Sequence, residues 1–351
     1  MPSPYELRES LKNEALAKGL LFLGIVELSS KRYHDYVLWL NKGYHGQMSY
    51  LENNMSLRQN PSELVGTKGS GLIFALNYKQ EDSLTLLKNR DFASIAQYAR
   101  LKDYHRFFKQ KLAQIITKID LLKGAKVCVD SIPILEKDLA AQTALGFIGK
   151  NTLYIHPNYG SLLLLGEILT PLTLSLDHKV EVNPSIRQEI GGCGSCKRCQ
   201  VYCPTGALNE SYVLDSRKCL SYLTIEHRGA IPILYWPHLK TYFFGCDLCQ
   251  LVCPYNKKTP YGQDLPLLDR LKDLDLFKVA TMNQNFYETI FGGSPLTRAK
   301  IDGLKRNALI YLVVKKDTRL PLALELLKDD KASVIKETIA QIPEYYRSLT
   351  C

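Results

Sequence analysis

Eight of the ten cysteines in this chain lie between residues 193 and 253, at spacings that suit iron–sulfur chemistry. They form two runs, each ending in Cys-Pro: Cys193-x2-Cys196-x2-Cys199-x3-Cys203, and Cys219 followed by Cys246-x2-Cys249-x3-Cys253. Three closely spaced cysteines can wrap one corner of a four-iron cubane, while the fourth thiolate arrives from elsewhere in the chain. The pattern therefore predicts two [4Fe–4S] clusters.

The pairing of these cysteines follows a rule of two-cluster ferredoxins, in which the fourth cysteine of each run ligates the other cluster. The rule assigns one predicted cluster to Cys193, Cys196, Cys199 and Cys253. It assigns the other to Cys203, Cys219, Cys246 and Cys249. We expect this exchange of ligands to hold the clusters close enough for rapid electron transfer.

Zinc binding and disulfide bonding are the alternative uses of these cysteines. Zinc also uses Cys-x2-Cys pairs, but it does not explain two Cys-x3-Cys-Pro endings. A disulfide framework belongs to secreted chains, and the N-terminal sequence MPSPYELRES lacks the apolar stretch of a signal peptide. Of the remaining cysteines, Cys128 is interpreted as a core residue of an apolar strand and Cys351 as incidental.

A cluster whose irons all carry cysteine has no open site for bond chemistry, so we expect the reactive centre in residues 1–185. Apolar and amphipathic runs alternate there, which indicates an α/β (α+β) domain, and Ser3 with Glu6 forms a capping box for the first helix. Strands are predicted at Leu20–Val26, Gly71–Leu76, Lys126–Asp130, Leu153–Ile155 and Leu162–Leu169. Further helices are predicted at Met48–Asn54, Phe92–Leu122 and between Pro133 and Leu145.

The rest of the chain is predicted to form two further domains. Residues 177–192 are polar and are interpreted as a linker or insertion. We expect a ferredoxin-like domain with two [4Fe–4S] clusters over residues 186–262 and a helical region with a HEAT-like repeat over residues 263–351. Three helical faces indicate the latter: Leu304, Ala308 and Leu312; Ala323 and Leu327; and Ile335, Ile339 and Ile342.

Composition narrows the class of protein. The chain has 351 residues, 46% of them hydrophobic and 23% charged, with a net charge of +10. No apolar run is long enough to span a membrane, so we expect a globular cytoplasmic protein with reduced thiols. The positive charge would attract a polyanion such as a nucleic acid. The alternative is a solvated basic surface without a partner.

Several short motifs follow one another in order along the chain. Together with the cysteine pattern, they closely resemble the epoxyqueuosine reductase family of tRNA-modifying enzymes, over nearly the whole sequence. Their order is more specific than any one of them. They are Gly43–Glu52, Arg58–Pro61, Tyr98–His105, Val129–Asp130, Glu136–Asn151, Gly160–Ser161, Gly166–Glu167 and Arg306–Ala308.

The resemblance implies both a reaction and a cofactor. The reaction is the two-electron removal of the epoxide oxygen of epoxyqueuosine at the tRNA wobble position, which is the last step of queuosine synthesis. The cofactor is cobalamin, held between the N-terminal and ferredoxin-like domains and supplied with electrons by the clusters. The implied partners are a tRNA anticodon stem-loop and an external electron donor, with the chain acting as a monomer away from membranes.

The same resemblance implies roles for individual residues. Asp130 matches the proton donor, and a carboxyl group there could donate a proton if burial raised its pKa. Its alternative role is to cap the following turn. Arg58 matches a residue near the cofactor, with a surface ion pair as the alternative. Tyr154, Ser221 and Asp247 are also assigned to cofactor binding.

A polar segment around residue 100 is expected to line the pocket, through Tyr98, Asp103, Tyr104 and His105. Asp103-x-His105 begins like the DxHxxG motif of cobalamin-binding proteins, but the glycine is missing. We therefore do not expect His105 to ligate cobalt. For the tRNA, the wobble base must leave the stack to reach the cofactor. Lys257, Lys258 and the basic residues of 298–306 are expected to hold its phosphates.

Two other functions fit the cysteine pattern. A reductive dehalogenase-like enzyme would use the same cofactors on a small organohalide, but such proteins usually carry a twin-arginine export signal, which this sequence lacks. A plain eight-iron electron carrier would need no corrin, and bound corrin in the purified protein would exclude it.

Overall fold

A computed structural model of the protein describes residues 3–80, 94–175 and 192–350. The predicted linker at 177–192, except its last residue, lies outside the described residues. So do the predicted boundary at 185/186, the start of the helix predicted from Phe92, and Cys351. Among the described helices, none is both long enough and apolar enough to cross a membrane.

The N-terminal domain is built on a four-stranded sheet in the order β1-β2-β7-β4. Each neighbouring pair of its strands is antiparallel, so the domain is α+β, and the alternation of elements along the sequence did not reveal the strand directions. Two short two-stranded pairings, β3 with β8 and β5 with β6, lie outside this sheet. The strands are β1 (Leu21–Val26), β2 (Ser70–Asn77), β3 (Ser94–Ile95), β4 (Lys126–Cys128), β5 (Phe147–Ile148), β6 (Tyr154–Ile155), β7 (Leu163–Thr170) and β8 (Tyr242–Phe244).

Helices cover both faces of the sheet and form most of the C-terminal region. The predicted capping box is confirmed, because the Ser3 hydroxyl accepts from the Glu6 N–H at 3.2 Å and the Glu6 carboxylate from the Ser3 N–H at 2.7 Å. The helices are α1 (Pro4–Ala17), α2 (Tyr33–Asn41), α3 (Met55–Gln59), α4 (Tyr104–Lys118), α5 (Glu136–Gln142), α6 (Arg198–Val201), α7 (Leu220–Ile225), α8 (Trp236–Leu239), α9 (Leu248–Leu251), α10 (Leu276–Ala280), α11 (Gln284–Phe291), α12 (Lys300–Lys315), α13 (Leu320–Leu327) and α14 (Ser333–Ser348).

Two predicted helices are shorter than expected. The helix predicted over Phe92–Leu122 begins only at Tyr104, because the Asp103 carboxylate caps the His105 N–H at 3.1 Å and starts α4 there. In place of a helix at Met48–Asn54 there is a 3₁₀ turn, after which α3 begins. The polar residues before Tyr104 and those of Met48–Asn54 therefore lie outside α-helices.

Two hydrophobic cores fill the N-terminal domain, one on each face of the sheet. On one face α1 and α4 pack on the strands, with Leu11, Phe74 and Phe108 buried. On the other face α5 packs on the strands through Leu139 and Ala140. Cys128 belongs to this second core and is 1% exposed, so its predicted core position is confirmed.

A third core joins the ferredoxin-like region to the C-terminal helices. It includes residues of α7, α8 and β8, all between Leu220 and Phe244. It also includes residues of α10, α12, α13 and α14. The predicted helical faces are buried in it, with Ile339 packing at its edge. The boundary predicted at 262/263 therefore crosses a shared core.

Arg306 lies in this shared core and is fully buried. Its guanidinium donates to the carbonyl oxygens of Leu223 at 2.8 Å and of His227 and Gly229 at 2.7 Å. Neighbouring Lys305 is also buried and pairs with Asp330. The expectation that these two residues hold tRNA phosphates is wrong, because neither side chain can reach a ligand on the surface.

We expect Arg306→Met to destabilise the protein by roughly 3 kcal/mol, because several buried carbonyl groups lose their donor together. Arg306→Lys should recover only part of the loss, since one ammonium cannot reproduce the planar fork of donors. Thermal unfolding followed by circular dichroism measures both effects. A midpoint for Arg306→Met equal to that of the unchanged protein would contradict this role.

Candidate active site

The two cysteine motifs lie next to each other in the fold but differ in burial. We call Cys193–Cys203 the first motif and Cys246–Cys253 the second motif. Their short helices, α6 and α9, pack together. In the described ranges, no three cysteine, histidine or carboxylate side chains converge tightly enough to enclose a single metal ion.

The electrostatic neighbours of the thiols can be compared with the two predicted sets, whose pairing stays a prediction. Burial and, after it, the neighbouring thiols of Cys193, Cys199 and Cys196 raise the pKa of Cys253 to about 11. Burial likewise raises the pKa of Cys249 well above its ordinary value, helped by Cys219 and by single thiols of the first motif. Cys253 of the second motif thus faces the thiols of the first.

Thiols of the second predicted set also influence one another. After burial, the thiol of Cys203 raises the pKa of Cys219, and the thiols of Cys219 and Cys249 raise that of Cys246. The thiol of Cys199, which belongs to the other set, also raises the pKa of Cys249. The two groups of thiols are therefore adjacent.

Hydrogen bonds fix the cysteine motifs to the N-terminal domain. The Lys150 N–H donates to the Cys193 sulfur at 3.3 Å, and the Lys150 ammonium donates to the Gly194 carbonyl at 2.7 Å. On the second motif, the Gln250 amide donates to the Ser161 carbonyl at 2.8 Å. Domain and motifs are therefore held in one arrangement.

A cavity of about 990 Å³ lies where the N-terminal domain meets the cysteine region. Its walls come mainly from residues 32–58, 130–138 and 210–216. The last segment lies between Cys203 and Cys219, and it is attached to the N-terminal domain because the Trp39 indole donates to the Leu214 carbonyl at 2.7 Å. The volume is at the upper end of the roughly 300–1,000 Å³ typical of ligand pockets.

Asp130 stands on the cavity wall just after β4, in the left-handed backbone region at φ 54°. Its carboxylate accepts from the Tyr104 hydroxyl at 2.6 Å and contacts His105 Nε2 at 3.0 Å. The other ring nitrogen of His105 contacts the Asp103 carboxylate at 3.0 Å. Asp103, His105 and Asp130 thus form a chain of three hydrogen-bonding groups that ends at the cavity.

This chain keeps the Asp130 carboxyl ionised. The hydrogen bond from His105 lowers the pKa of Asp130, against the opposing effect of burial. The same hydrogen bond raises the pKa of His105. Burial alone therefore does not make Asp130 a neutral acid, and a proton held between these two groups belongs to the His105–Asp130 pair.

Two more carboxyl groups lie behind Asp130. The Glu136 carboxylate accepts from the Asp130 N–H at 2.6 Å and so supports its strained backbone, and burial raises the pKa of Glu136 to about 8. Glu167 on β7 pairs with Cys128 across the sheet and is 0% exposed. Neither of its carboxylate oxygens has a hydrogen-bond partner in the described part of the chain. Burial raises the pKa of Glu167 well above its ordinary value, so this group is neutral.

We expect Glu167→Gln to be more stable than the unchanged protein in alkaline solution. An unfolded glutamic acid ionises near pH 4.3, while the folded one keeps its proton, so its burial costs increasing stability as pH rises above that value. The neutral amide has no such dependence. The difference in thermal midpoint between variant and unchanged protein should therefore grow with pH. A difference that does not change between pH 5 and pH 8.5 would contradict a protonated Glu167.

The predicted cofactor-binding residues are not all in one place. Arg58 lines the cavity and is buried, with its guanidinium donating to the Asn53 carbonyl at 3.1 Å and lying over the Tyr36 ring. Arg58 therefore stabilises the cavity wall, and its alternative role in a surface ion pair is wrong. Tyr154 and Asp247 are buried elsewhere, and Ser221 lies in α7; these three do not line the cavity.

Sequence reasoning missed the roles of Glu136 and Glu167. An acid at the first position of a helix, six residues after Asp130, is the signal that could have found Glu136. Gly166–Glu167 stood inside a predicted apolar strand, where a carboxylate needs an explanation. Tyr98, Asp103, Tyr104 and His105 were expected to line the pocket, but none of them lines this cavity; Tyr104 and His105 instead contact Asp130, which does.

Comparisons with known proteins agree with these features. The family model described as epoxyqueuosine reductase QueG, DUF1730, matches residues 58–131, which include Arg58 and Asp130. The model of a 4Fe-4S double cluster binding domain matches residues 192–256, which include all eight clustered cysteines. The chain therefore carries an iron–sulfur domain for two clusters.

Relatives match over most of the chain. An epoxyqueuosine reductase of Pseudomonas aeruginosa is 36% identical over 320 residues, or 89% of this chain and 86% of the relative. Another, of Cyclobacterium marinum, is 34% identical over 85% of this chain and 94% of its own. A crystal structure of epoxyqueuosine reductase with an epoxyqueuosine-modified tRNA-Tyr stem loop superposes with a TM-score of 0.82 at 25% identity, covering 99% of this chain and 94% of the other. By this similarity the chain belongs to the epoxyqueuosine reductase family.

Proposed function

We propose that this oxidoreductase reduces epoxyqueuosine to queuosine at the wobble position of tRNA, acting in the cytoplasm as a monomer. The observation that carries the proposal is the position of the His105–Asp130 pair. Asp130 of this pair lies on the wall of a large cavity, and residues 210–216, between Cys203 and Cys219, form another part of that wall. An acid and part of the cluster domain thus share one cavity, which suits the reduction of an epoxide.

The electrons come from two [4Fe–4S] clusters. One is bound by Cys193, Cys196, Cys199 and Cys253, and the other by Cys203, Cys219, Cys246 and Cys249. The electrostatic neighbours of Cys253 and Cys246 support this division. The thiol of Cys199 also raises the pKa of Cys249, which places the two sets of thiols near each other. An electron therefore has a short path from one cluster to the other.

The place for cobalamin in this proposal is the cavity, whose wall includes residues of both the N-terminal domain and the cluster domain. When bound, it supplies a strongly reducing cobalt centre that can act on the epoxide. Arg58 and Tyr36 form part of the wall that would hold it. Tyr154, Ser221 and Asp247 remain predicted contacts, although they do not line this cavity.

The reaction consumes protons, and in this proposal the His105–Asp130 pair supplies one of them. Conversion of the epoxide to an alkene consumes two electrons and two protons and releases the oxygen as water. The proton shared between His105 Nε2 and Asp130 Oδ2 is positioned at the cavity, and the Tyr104 hydroxyl orients the carboxylate. Glu136 keeps the Asp130 backbone in place through its N–H.

The tRNA stem-loop would enter from the side of Arg298. This side chain lies over the Tyr50 ring, which lines the cavity, and it is exposed, as is Lys300. Both can meet phosphates near a wobble base that has left its stack. We interpret α12, α13 and α14 as a HEAT-like support for this surface.

Nucleoside analysis tests the proposal. Protein reconstituted with iron, sulfide and cobalamin is incubated without oxygen with a reductant and an epoxyqueuosine-containing stem-loop. Queuosine should appear only when both cobalamin and reductant are present. Failure to form queuosine in protein whose iron and cobalt contents are complete would overturn the proposed function. Bound corrin would in any case exclude a plain electron carrier.

A further inference from the structure

The two cysteine motifs share the spacing Cys-x2-Cys-x3-Cys-Pro but differ in the exposure of the residues between the cysteines. In the first motif, every residue from Gly192 to Pro204 other than the cysteines and Gln200 is exposed. In the second motif, every residue from Phe244 to Val252 other than the cysteines is buried. The protein therefore covers one cluster site on its outer side and leaves the other at the surface.

Basic side chains surround the exposed site. Lys197 and Arg198 lie within the first motif, while Lys257 and Lys258 follow Cys253, whose thiol faces that motif. The two segments are joined at the Tyr255 hydroxyl, which accepts from the Gly192 N–H at 3.1 Å and donates to the Gly192 carbonyl at 3.2 Å. All four cations are exposed, and none forms an ion pair with the residues that the structure describes.

An apolar side chain stands among these charges. Val201, at the end of α6 and between two cysteines of the first motif, is 76% exposed. Tyr202 beside it is 46% exposed. An exposed apolar side chain together with exposed like charges is typical of a surface that binds a partner transiently. We call Lys197, Arg198, Val201, Lys257 and Lys258 together the α6 face.

We propose that the α6 face binds the electron donor of this enzyme, a small acidic electron-transfer protein. The inference rests on the proposed function, since it requires the two clusters. In each encounter one electron passes from the reduced donor to the cluster of the first motif, so the donor is oxidised and the cluster reduced, and no bond or proton is transferred. Two encounters supply the two electrons that one epoxide consumes.

The chemistry of the α6 face selects this class of partner. Opposite charge speeds the encounter, and the gain is lost as salt screens it. Redox complexes typically bury less than roughly 1,200 Å² in total, so a patch of this size suffices for transient binding. This position favours a donor over the tRNA phosphates expected earlier at Lys257 and Lys258, because electrons must enter where a cluster is exposed.

Stopped-flow absorbance tests the proposal, with reduced flavodoxin as the acidic probe. The rate at which flavodoxin bleaches the clusters is measured for the unchanged protein, for the double variant Lys197→Glu/Arg198→Glu, and for the control Lys118→Glu/Lys123→Glu. The control reverses two exposed charges outside the α6 face. At low salt we expect the first variant to be at least about tenfold slower and the control to be unchanged, with the difference shrinking as salt is added.

Two further measurements separate this inference from the proposed function. Photoreduction by the neutral dye 5-deazariboflavin needs no docking, so it should reduce the clusters of both variants at the same rate. The photoreduced variants should then convert the epoxyqueuosine stem-loop normally. Equal flavodoxin rates for both variants would overturn the inference. So would weaker stem-loop binding by Lys197→Glu/Arg198→Glu with an unchanged flavodoxin rate, since the face would then bind tRNA.

Discussion

Replacing Asp130 with asparagine is expected to slow the reduction of epoxyqueuosine by roughly 10²–10⁴-fold, the usual contribution of a positioned acid. The amide keeps the shape of the side chain but cannot share a proton with His105. The clusters should bind normally, because Asp130 is not among the eight predicted cluster ligands, and the cofactor should bind because the amide preserves the shape of the cavity wall. Single-turnover conversion by chemically reduced protein measures the effect on the reaction itself.

The pH dependence distinguishes an acid from a structural residue. Because Asp130 raises the pKa of His105, the pair holds its proton below that pKa and loses it as pH rises through it. The rate of reduction by the unchanged protein should therefore fall in alkaline solution. In Asp130→Asn, His105 should lose its proton at a lower pH than in the unchanged protein. Asp269→Asn, which removes an exposed carboxylate paired only with Lys272, serves as the matched control. Turnover of Asp130→Asn at the normal rate would show that the acid is another group.

Replacing Cys253 with alanine is expected to remove the cluster of the first motif, although Cys253 lies in the second. Iron should fall from about eight to about four per chain, and turnover should be lost because the chain of electron carriers is broken. The measurement is iron content together with the electron paramagnetic resonance spectrum of the reduced protein. Cys128→Ala is the matched control, since Cys128 is a core residue and should leave the iron content unchanged.

The identity of the remaining cluster decides between ligand pairings. Cys253→Ala and Cys196→Ala should leave the same spectrum, that of the cluster bound by Cys203, Cys219, Cys246 and Cys249. Cys249→Ala should leave the other. If Cys253→Ala instead matches Cys249→Ala, each motif binds its own cluster and the exchange of ligands is wrong.

Features encoded by neighbouring residues could be predicted from the sequence. The spacing of the cysteines indicated an iron–sulfur domain, and the matching double-cluster model confirms it. The capping box at Ser3 and the buried faces of α12 and α13 were predicted correctly for the same reason, because each depends on side chains within one or two turns.

Features that depend on distant segments could not be predicted. Asp130 is held by Tyr104 from α4 and by Glu136 from α5, and the sign of its pKa shift follows from these contacts. Arg306 looked like a surface cation in a basic stretch, yet its guanidinium lies among carbonyl groups of the ferredoxin-like region. Sequence pattern gives the charge of such residues but not the partners that surround them.

The directions of the strands are a further example. Parallel and antiparallel sheets can both show alternating strand and helix patterns in the sequence. The direction of each strand depends on the path that the long connections take back to the sheet. Here β7 pairs with β2 from about 90 residues away, with Ser70 opposite Thr170. Such pairing places Glu167 beneath Asp130 and gives the candidate site its buried carboxyl groups.

Electron counting in a single turnover tests the central claim most directly. Protein loaded with both clusters and cobalamin is reduced, freed of reductant, and mixed with an excess of the epoxyqueuosine stem-loop. Two clusters store two electrons, so about one queuosine should form per chain beyond the yield that the electrons held on the cobalt account for, while both clusters become oxidised. Clusters that stay reduced while no queuosine forms would contradict the transfer of their electrons to the epoxide.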